Sequence, residues 1–441
     1  MQCLEDQGGS RLAFGLVHRD GHRRCGGDAG PGHHLDFVDF AQRRGAQLHD
    51  ANDGEKSERD MRRQQGFTLI ELMVAVALGL MATVVIAQVF LQSEGNKRTT
   101  TGGADAQVAG ALALFTIQRD IEMAGYGMAD MPSALGCPVT AQYNSTTASG
   151  FGGSTDPLVP VLITTGGGSA SDSVSIWSSG KQNFSLPMRV TETHDNGGTS
   201  FVVASTMGVA SGDLLLAVPL NWEATGAGCA VVAATSSSLD SATNITHATS
   251  NLWNMSTAAI SPAVGFLADS TLFNLGPNPV RRTYSVNTTT WSLQAADFQA
   301  GSASRASSSQ FPQIVLLKAM YGKATAVNGV VTKYEASSPT TNADWQLVRA
   351  VRLVIVARSE QYEKEAVTTA SPEWEVGPQV TGAANCTANA SAKCLTLDVS
   401  ASGPGTVADA SGVTTPVWQH YRYKVFDTVV PLRNMLWMAG P

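Results

Sequence analysis

Apolar and polar positions divide the chain into three regimes. Residues 1–60 show no sustained helical or alternating pattern. Met61-Arg62-Arg63 then opens a short basic stretch, which leads through GFTLIEL into a long apolar run. From Leu72 to Ser93, 22 residues pass without a charge. At about 1.5 Å per residue this is long enough to cross a bilayer core of roughly 30 Å. The pattern predicts a membrane-spanning helix over 67–92. Polar Ser93-Glu94-Gly95-Asn96-Lys97-Arg98 marks its exit. Thr99 to Gly103 is a weak point, because adjacent glycines cost roughly 1 kcal/mol each relative to Ala in a helix. A kink or short unwound stretch is expected there. From Asp105 to Ala124 the pattern turns amphipathic, with Val108, Ala111, Leu114 or Phe115, Ile117 and Ile121 at spacings of three and four. Gly125 and Gly127 are the expected helix stops.

Beyond Met128 the period shortens, and short apolar runs alternate with Gly/Ser/Asn/Asp turns. Strands are expected at Leu158–Thr164, Ser173–Ser178, Ser200–Ser205, Asp213–Val218, Arg281–Val286 and Gln313–Met320. Trp345–Ser359 reads as a central strand, or as a strand after a short turn. Val348, Val351, Leu353, Ile355 and Ala357 share mostly one face, while Arg349 and Arg352 break the register. Tyr421–Val430 reads as the last strand. No internal repeat is visible, and 135–310 reads only as a turn-dense, β-rich insertion. The fold class is therefore α+β, a long N-terminal helix packed on a β-rich head.

Composition sharpens this picture in three ways. Charged residues are only 15% and the net charge is −7. No Lys/Arg-rich run follows Arg63, which argues against a nucleic-acid surface. Residues 1–60 hold five of the eight histidines. A long polar stretch ahead of an inserting helix is physically awkward, because such helices carry a short positive n-region. Met61 is therefore read as the true start and 1–60 as a spurious or disordered extension; a genuine long leader is the alternative. Of six cysteines, Cys3 and Cys25 fall in that extension. Cys137, Cys229, Cys386 and Cys394, widely spaced and without CxxC, suit disulfides in an oxidising compartment better than a metal site. Cys386 and Cys394 fit a hairpin-closing bridge, with free thiols as the alternative. Cys137 with Cys229 is the remaining candidate bridge, although a long-range pairing cannot be read from spacing.

The stretch GFTLIEL, ahead of an apolar helix, resembles the processing site of type IV pilins and type II secretion pseudopilins. Two further stretches, VRAVRLVIVARSEQYEK and HYRYKVFDTVVPLRN, resemble the C-terminal region of minor pilins of the PilW family, as does ALFTIQRDIEMAGY at the end of the helix. The resemblance implies a leader at 61–66, cut after Gly66 by a prepilin peptidase that also N-methylates Phe67. It implies a pilin helix over 67–126 and an extracytoplasmic head over 127–441. Glu71 would be the fifth mature residue, pairing with the N-terminal amine of a neighbouring subunit during assembly. An unpaired carboxylate in lipid is costly, so such pairing would fix axial register; a first-turn acid beside the helix dipole is the plainer reading. The implied protein is a non-enzymatic minor pilin of the inner membrane with its head in the periplasm. It would later sit at the filament tip, its partners being other minor pilins, the major pilin and a pilus-tip adhesin. A J-type pseudopilin of type II secretion, and a membrane-anchored adhesin or enzyme sharing only the helix, are the rival readings.

Nothing else in the sequence carries chemistry. His194, His247 and His420 are scattered, without a metal-ligand spacing such as HExxH, and no GxSxG, P-loop or GxGxxG motif follows a strand. No cofactor and no metal are expected. Glu360, Glu363 and Glu365 form an acidic cluster, read as a solvated loop in preference to a cation site. Trp222, Trp253 and Trp291 are read as core residues in preference to an adhesive surface.

Overall fold

Apolar stretches with different periods have to bury different faces, and in this chain they do so in four cores, one of them around the long helix. The computed structural model describes residues 67–128, 131–181, 186–256, 262–327, 329–380, 382–408 and 412–437. The expected extension, the leader and Gly66 lie outside the described residues. By contacts the chain divides into Met1–Val74 and Ala75–Pro441. Of the first unit, Phe67 and Thr68 precede the helix Leu69–Met123, whose first turns lie in this unit.

The helix runs 55 residues without interruption, through the threonines and glycines at 99–103. No unwound stretch exists there. Continuing a helix that is already nucleated costs far less than ending and re-nucleating it, and the Thr100 hydroxyl donates to the Asn96 carbonyl at 2.9 Å. The helix ends where Gly125 and Gly127 take φ of 80° and 73°, values that cost glycine little. The Gly125 amide donates to the Trp177 carbonyl at 2.8 Å, fastening the turn to the head.

In the second unit, the helix buries Ala106, Ala113, Ile117, Ile121 and Ala124. Its partner is a four-stranded antiparallel sheet ordered Val331–Glu335, Ile314–Ala324, Val348–Arg358, Tyr423–Pro431. Leu317, Ala319, Tyr321, Val351, Leu353, Ile355 and Ala357 face the helix in one core. The sheet's other face buries Val315, Leu316, Met320, Val354, Val356 and Trp374 in another. The central strand is thus buried on both faces. Arg352 does not break its register: it shares the second face, and its guanidinium lies 5.1 Å over the Trp374 ring and donates to the Val376 and Glu375 carbonyls at 2.7 Å each. The register slips on the neighbouring strand, once between Ile314 and Leu316 and once, opposite Ala350 and Val348, between Gly322 and Lys323. The second irregularity puts Val348 in the helix-facing core and leaves Arg349 to donate to the Met435 carbonyl at 3.2 Å.

The helical face differs from the one expected. Val108 and Phe115 are about 60% exposed, at 59% and 61%. Ile117 and Ile121 are buried as expected, but the rest of the buried face is made of the small residues Ala106 and Ala113, because the helix sits close to the sheet. A Cβ on Gly110 would collide with the Phe426 ring. Polar contacts secure the same approach. Asp120 accepts from the Tyr284 hydroxyl at 2.6 Å and from Arg282 at 2.9 Å, and the Asn434 amide donates to the Ala124 carbonyl at 2.8 Å.

Residues 135–310 do not form one separate insertion. Val161–Thr164, Ser173–Ser178, Val280–Asn287, Ser292–Phe298 and Arg305–Pro312 make a five-stranded antiparallel sheet. Val161, Ile163, Val174, Ile176, Tyr284, Leu293 and Ala295 join the helix core from this sheet. A six-stranded sheet is ordered Thr146–Pro157, Pro138–Tyr143, Cys229–Ala233, Leu214–Val218, Thr271–Gly276, Met188–Arg189. It separates two further cores. The expected strand at Leu158–Thr164 begins only at Val161, after Pro160, which has no N–H to donate. The expected strand at Ser200–Ser205 shortens to Ser200–Val202.

Truncating the buried helical face will therefore cost more than truncating the exposed one. Ile117→Ala is expected to lower head stability by about 2–5 kcal/mol. Leu112→Ala, at 49% exposure, is expected to stay within about 0.5 kcal/mol of the parent. Urea denaturation followed by tryptophan fluorescence checks both.

Candidate functional site

The chemistry of this chain is concentrated where the helix begins. Thr68 and Glu71 form a reciprocal cap: the Glu71 amide donates to the Thr68 hydroxyl oxygen at 3.3 Å, and the Thr68 amide donates to Glu71 Oε2 at 3.0 Å. The Thr68 hydroxyl also donates to Oε2 at 3.0 Å. Such a box satisfies otherwise orphaned N–H groups at a helix start. Within one chain, then, Glu71 sits in the first turn, as the plainer reading expects, and there it also caps the helix. Its other oxygen, Oε1, takes no part in the cap, and Glu71 and Phe67 are both exposed, Phe67 at 88%.

From Leu69 the helix offers apolar side chains on every face, with a mean hydropathy of 2.5 over its best window and none of that window buried. The segment is long and apolar enough to cross a membrane. Further along, Val108, Leu112, Phe115 and Met123 stay exposed at 49–61%. Their spacing puts them on one side of the helix, roughly opposite Ala106, Ala113, Ile117 and Ile121. The head-bearing half of the helix therefore has two apolar faces, one spent on the sheet and one open.

The cysteines bond as Cys137–Cys229 and Cys386–Cys394, with Cα–Cα distances of 6.0 and 4.9 Å. The first closes a separation of 92 residues and the second one of 8. Glu373 lies beside the second bridge, but both sulfurs are already bonded to one another and Glu373 accepts from Thr387. That group therefore offers no metal site.

The acidic cluster does not converge. Glu363 pairs with Arg422 at 3.0 Å, while Glu360 and Glu365 point to solvent. Glu360 lines a shallow cavity of about 240 Å³ with Glu94, Lys97 and Asp105, groups of mixed sign. The tryptophans are held by the head. Trp222 and Trp253 donate through Nε1 to the Ser133 and Ala300 carbonyls at 2.7 and 2.8 Å, and Trp291 packs against the core beneath the four-stranded sheet. His420 is held by Thr415 and the Glu363 carbonyl. His194 and His247, far apart in sequence, meet in space, which no spacing rule would find.

Two sequence families match. Residues 61–87 match the prokaryotic N-terminal methylation motif, and residues 282–434 match the Type IV Pilus-assembly protein W family. No curated protein matches the sequence. Among solved structures, a type IV-like pilin from Thermus thermophilus aligns over 75% of this chain and 97% of its own, at 11% identity and a TM-score of 0.25.

The two bridges are expected to differ in weight. Closing the longer loop removes more chain entropy, about 4–5 kcal/mol against about 2–3 kcal/mol for the shorter. Denaturant midpoints of Cys137→Ser/Cys229→Ser and Cys386→Ser/Cys394→Ser variants should fall in that order.

Proposed function

We propose that the chain is a minor pilin of the type IV pilus-assembly kind that residues 282–434 and 61–87 resemble, one that primes the filament and stays at its tip. The observation that carries this reading is one contiguous arrangement. A processing motif abuts an apolar helix that can span a membrane, and the same helix continues into a head whose second half matches the pilus-assembly family.

Processing comes first. Cleavage after Gly66 by a prepilin peptidase frees Phe67, whose amine becomes methylated. Until assembly, the helix at 67–92 holds the subunit in the inner membrane, with the head at 127–441 in the periplasm, where both disulfides form. Residues 1–60 take no part, and 61–66 serve as leader.

Assembly then uses the helix a second time. Glu71 exchanges part of its self-made cap for the methylated N-terminus of a neighbour. Opposite charges in an apolar environment tolerate misalignment poorly, so this contact sets axial register. The exposed Val108–Leu112–Phe115 line gives neighbouring helices an apolar surface on the head-bearing half. Among partners, other minor pilins, the major pilin and a tip adhesin fit this role. The role proposed is structural, not enzymatic. The match at 282–434 is to a pilus-assembly family, which favours the pilus over a secretion pseudopilus.

Pilus counts by electron microscopy test the role. Glu71→Ala is expected to leave membrane insertion intact and to reduce surface pili severalfold, with the same loss on deletion of the subunit. Normal piliation in the deletion strain would falsify the proposal.

A further inference from the structure

The lobe on the outer face of the six-stranded sheet contains an unexplained polar pair. His194 and His247 are 3% and 1% exposed, and their Nε2 atoms stand 2.8 Å apart. Neither Nδ1 has a partner. His194 stacks on Phe201 with ring centroids 4.0 Å apart, and Phe266 closes the cluster. The surrounding backbone is shaped to hold the pair. The His194 and Phe266 amides donate to each other's carbonyls at 2.8 Å, and the His247 amide donates to the Thr199 carbonyl at 2.8 Å. A Cβ on Gly265 would strike the His194 carbonyl, and one on Gly198 would press on the His194 ring.

A metal does not account for the geometry. Imidazole nitrogens sit about 2.0–2.1 Å from zinc, in sites of four ligands, which sets two ligating nitrogens farther apart than this pair. Metal-bound histidines also anchor their second nitrogen, and here both second nitrogens are unpartnered. Among the described residues, the single cluster of three or more candidate ligands is the disulfide-bound group at Glu373. A proton fits where a metal does not.

We propose that His194 and His247 form an acid-operated latch on this lobe. With both rings neutral, one Nε2–H donates to the other Nε2 and ties the turn at 194–199 to the segment following the strand Asn244–Thr246. A first proton, taken at the donor ring's free Nδ1, keeps that bond but places a charge in an aromatic pocket. A second proton must take the accepting Nε2 lone pair. The bond is then lost, and two N–H groups on two cations face each other. Opening the lobe to water relieves both costs.

The charged surroundings do not oppose this. Asp195, on the same turn, acts on His194 and favours its charged form. The strand Ser200–Val202, the strand Asn244–Thr246 and the segment around Phe266 bring no charge to the pair. Arg189 and Asp269 pair with each other at the surface. Burial outweighs Asp195 and lowers His194, and burial with the neighbouring ring lowers His247 to about 4. A histidine depressed in the fold stabilises it above its unfolded pKa and loses that contribution as pH falls from about 6.5 toward the folded value. The lobe is held by short ladders. Its strands, Met188–Arg189, Ser200–Val202 and Asn244–Thr246, are two or three residues long, and short ladders open at low free energy.

Hydrogen exchange of the full chain in detergent micelles, corrected for intrinsic rates, tests the latch at pH 7.0 and 4.5. Peptides covering 190–203 and 244–248 are expected to lose protection on the order of 50-fold, as linkage from His247 alone requires, while those covering 348–358 hold theirs. A His194→Gln/His247→Gln variant, able to hydrogen-bond but not to titrate, should show no such loss. Unchanged protection of the lobe in the parent overturns the latch. So does an equal loss across 348–358, or the same loss in the double variant. If the variant fails to fold, the parent's two regions still decide the question between them.

Discussion

The close approach of one helix to one sheet is the contact on which the rest of this structure depends. Gly110 and Ala113 let the helix sit against Phe426 and the strands Ile314–Ala324 and Val348–Arg358. Asp120 fixes the rotation of the helix by accepting from both Arg282 and Tyr284. Burial pushes the Tyr284 hydroxyl upward, with Asp120 adding to the effect, so the phenol stays a donor throughout the physiological range. Through Arg282 and Tyr284 the five-stranded sheet is tied to the same helix, and that sheet in turn carries the strands that lead into the six-stranded one.

That interface also explains why the helix can serve two environments. Its first half is apolar all round and suits lipid or the packed interior of a filament. Its second half divides its apolar surface between the head and an open stripe. A helix with a single apolar face would have to release its head in order to meet a neighbour. Here the head and the open stripe lie on opposite sides of the helix, so the proposed assembly contact would leave the head's core undisturbed.

Legibility in the sequence followed the strength of the local signal. The long apolar helix, the methylation motif at 61–87 and the central strand Val348–Arg358 rest on long apolar runs or contiguous motifs, and these were readable. The buried helical face was read in part: Ile117 and Ile121 are buried as expected, but Val108 and Phe115 are exposed and close packing selects Gly110, Ala113 and Ala106 instead. Thr146–Pro157 and Arg305–Pro312 were missed because Gly- and Ser-rich strands carry no alternation. The cap between Thr68 and Glu71 follows the T-x-x-E spacing and could have been found. The meeting of His194 with His247, and of Asp120 with Arg282, depends on chain topology and leaves no trace in spacing.

The central claim is that the chain is processed at Gly66 and anchored by the helix that Phe67 then begins. Mass spectrometry of the N-terminal peptide from the mature, membrane-extracted protein tests it most directly. The account predicts an N-methylated Phe67 as first residue, with no peptide from residues 1–66. An unmethylated chain that still begins at Met61 or Met1 would contradict it.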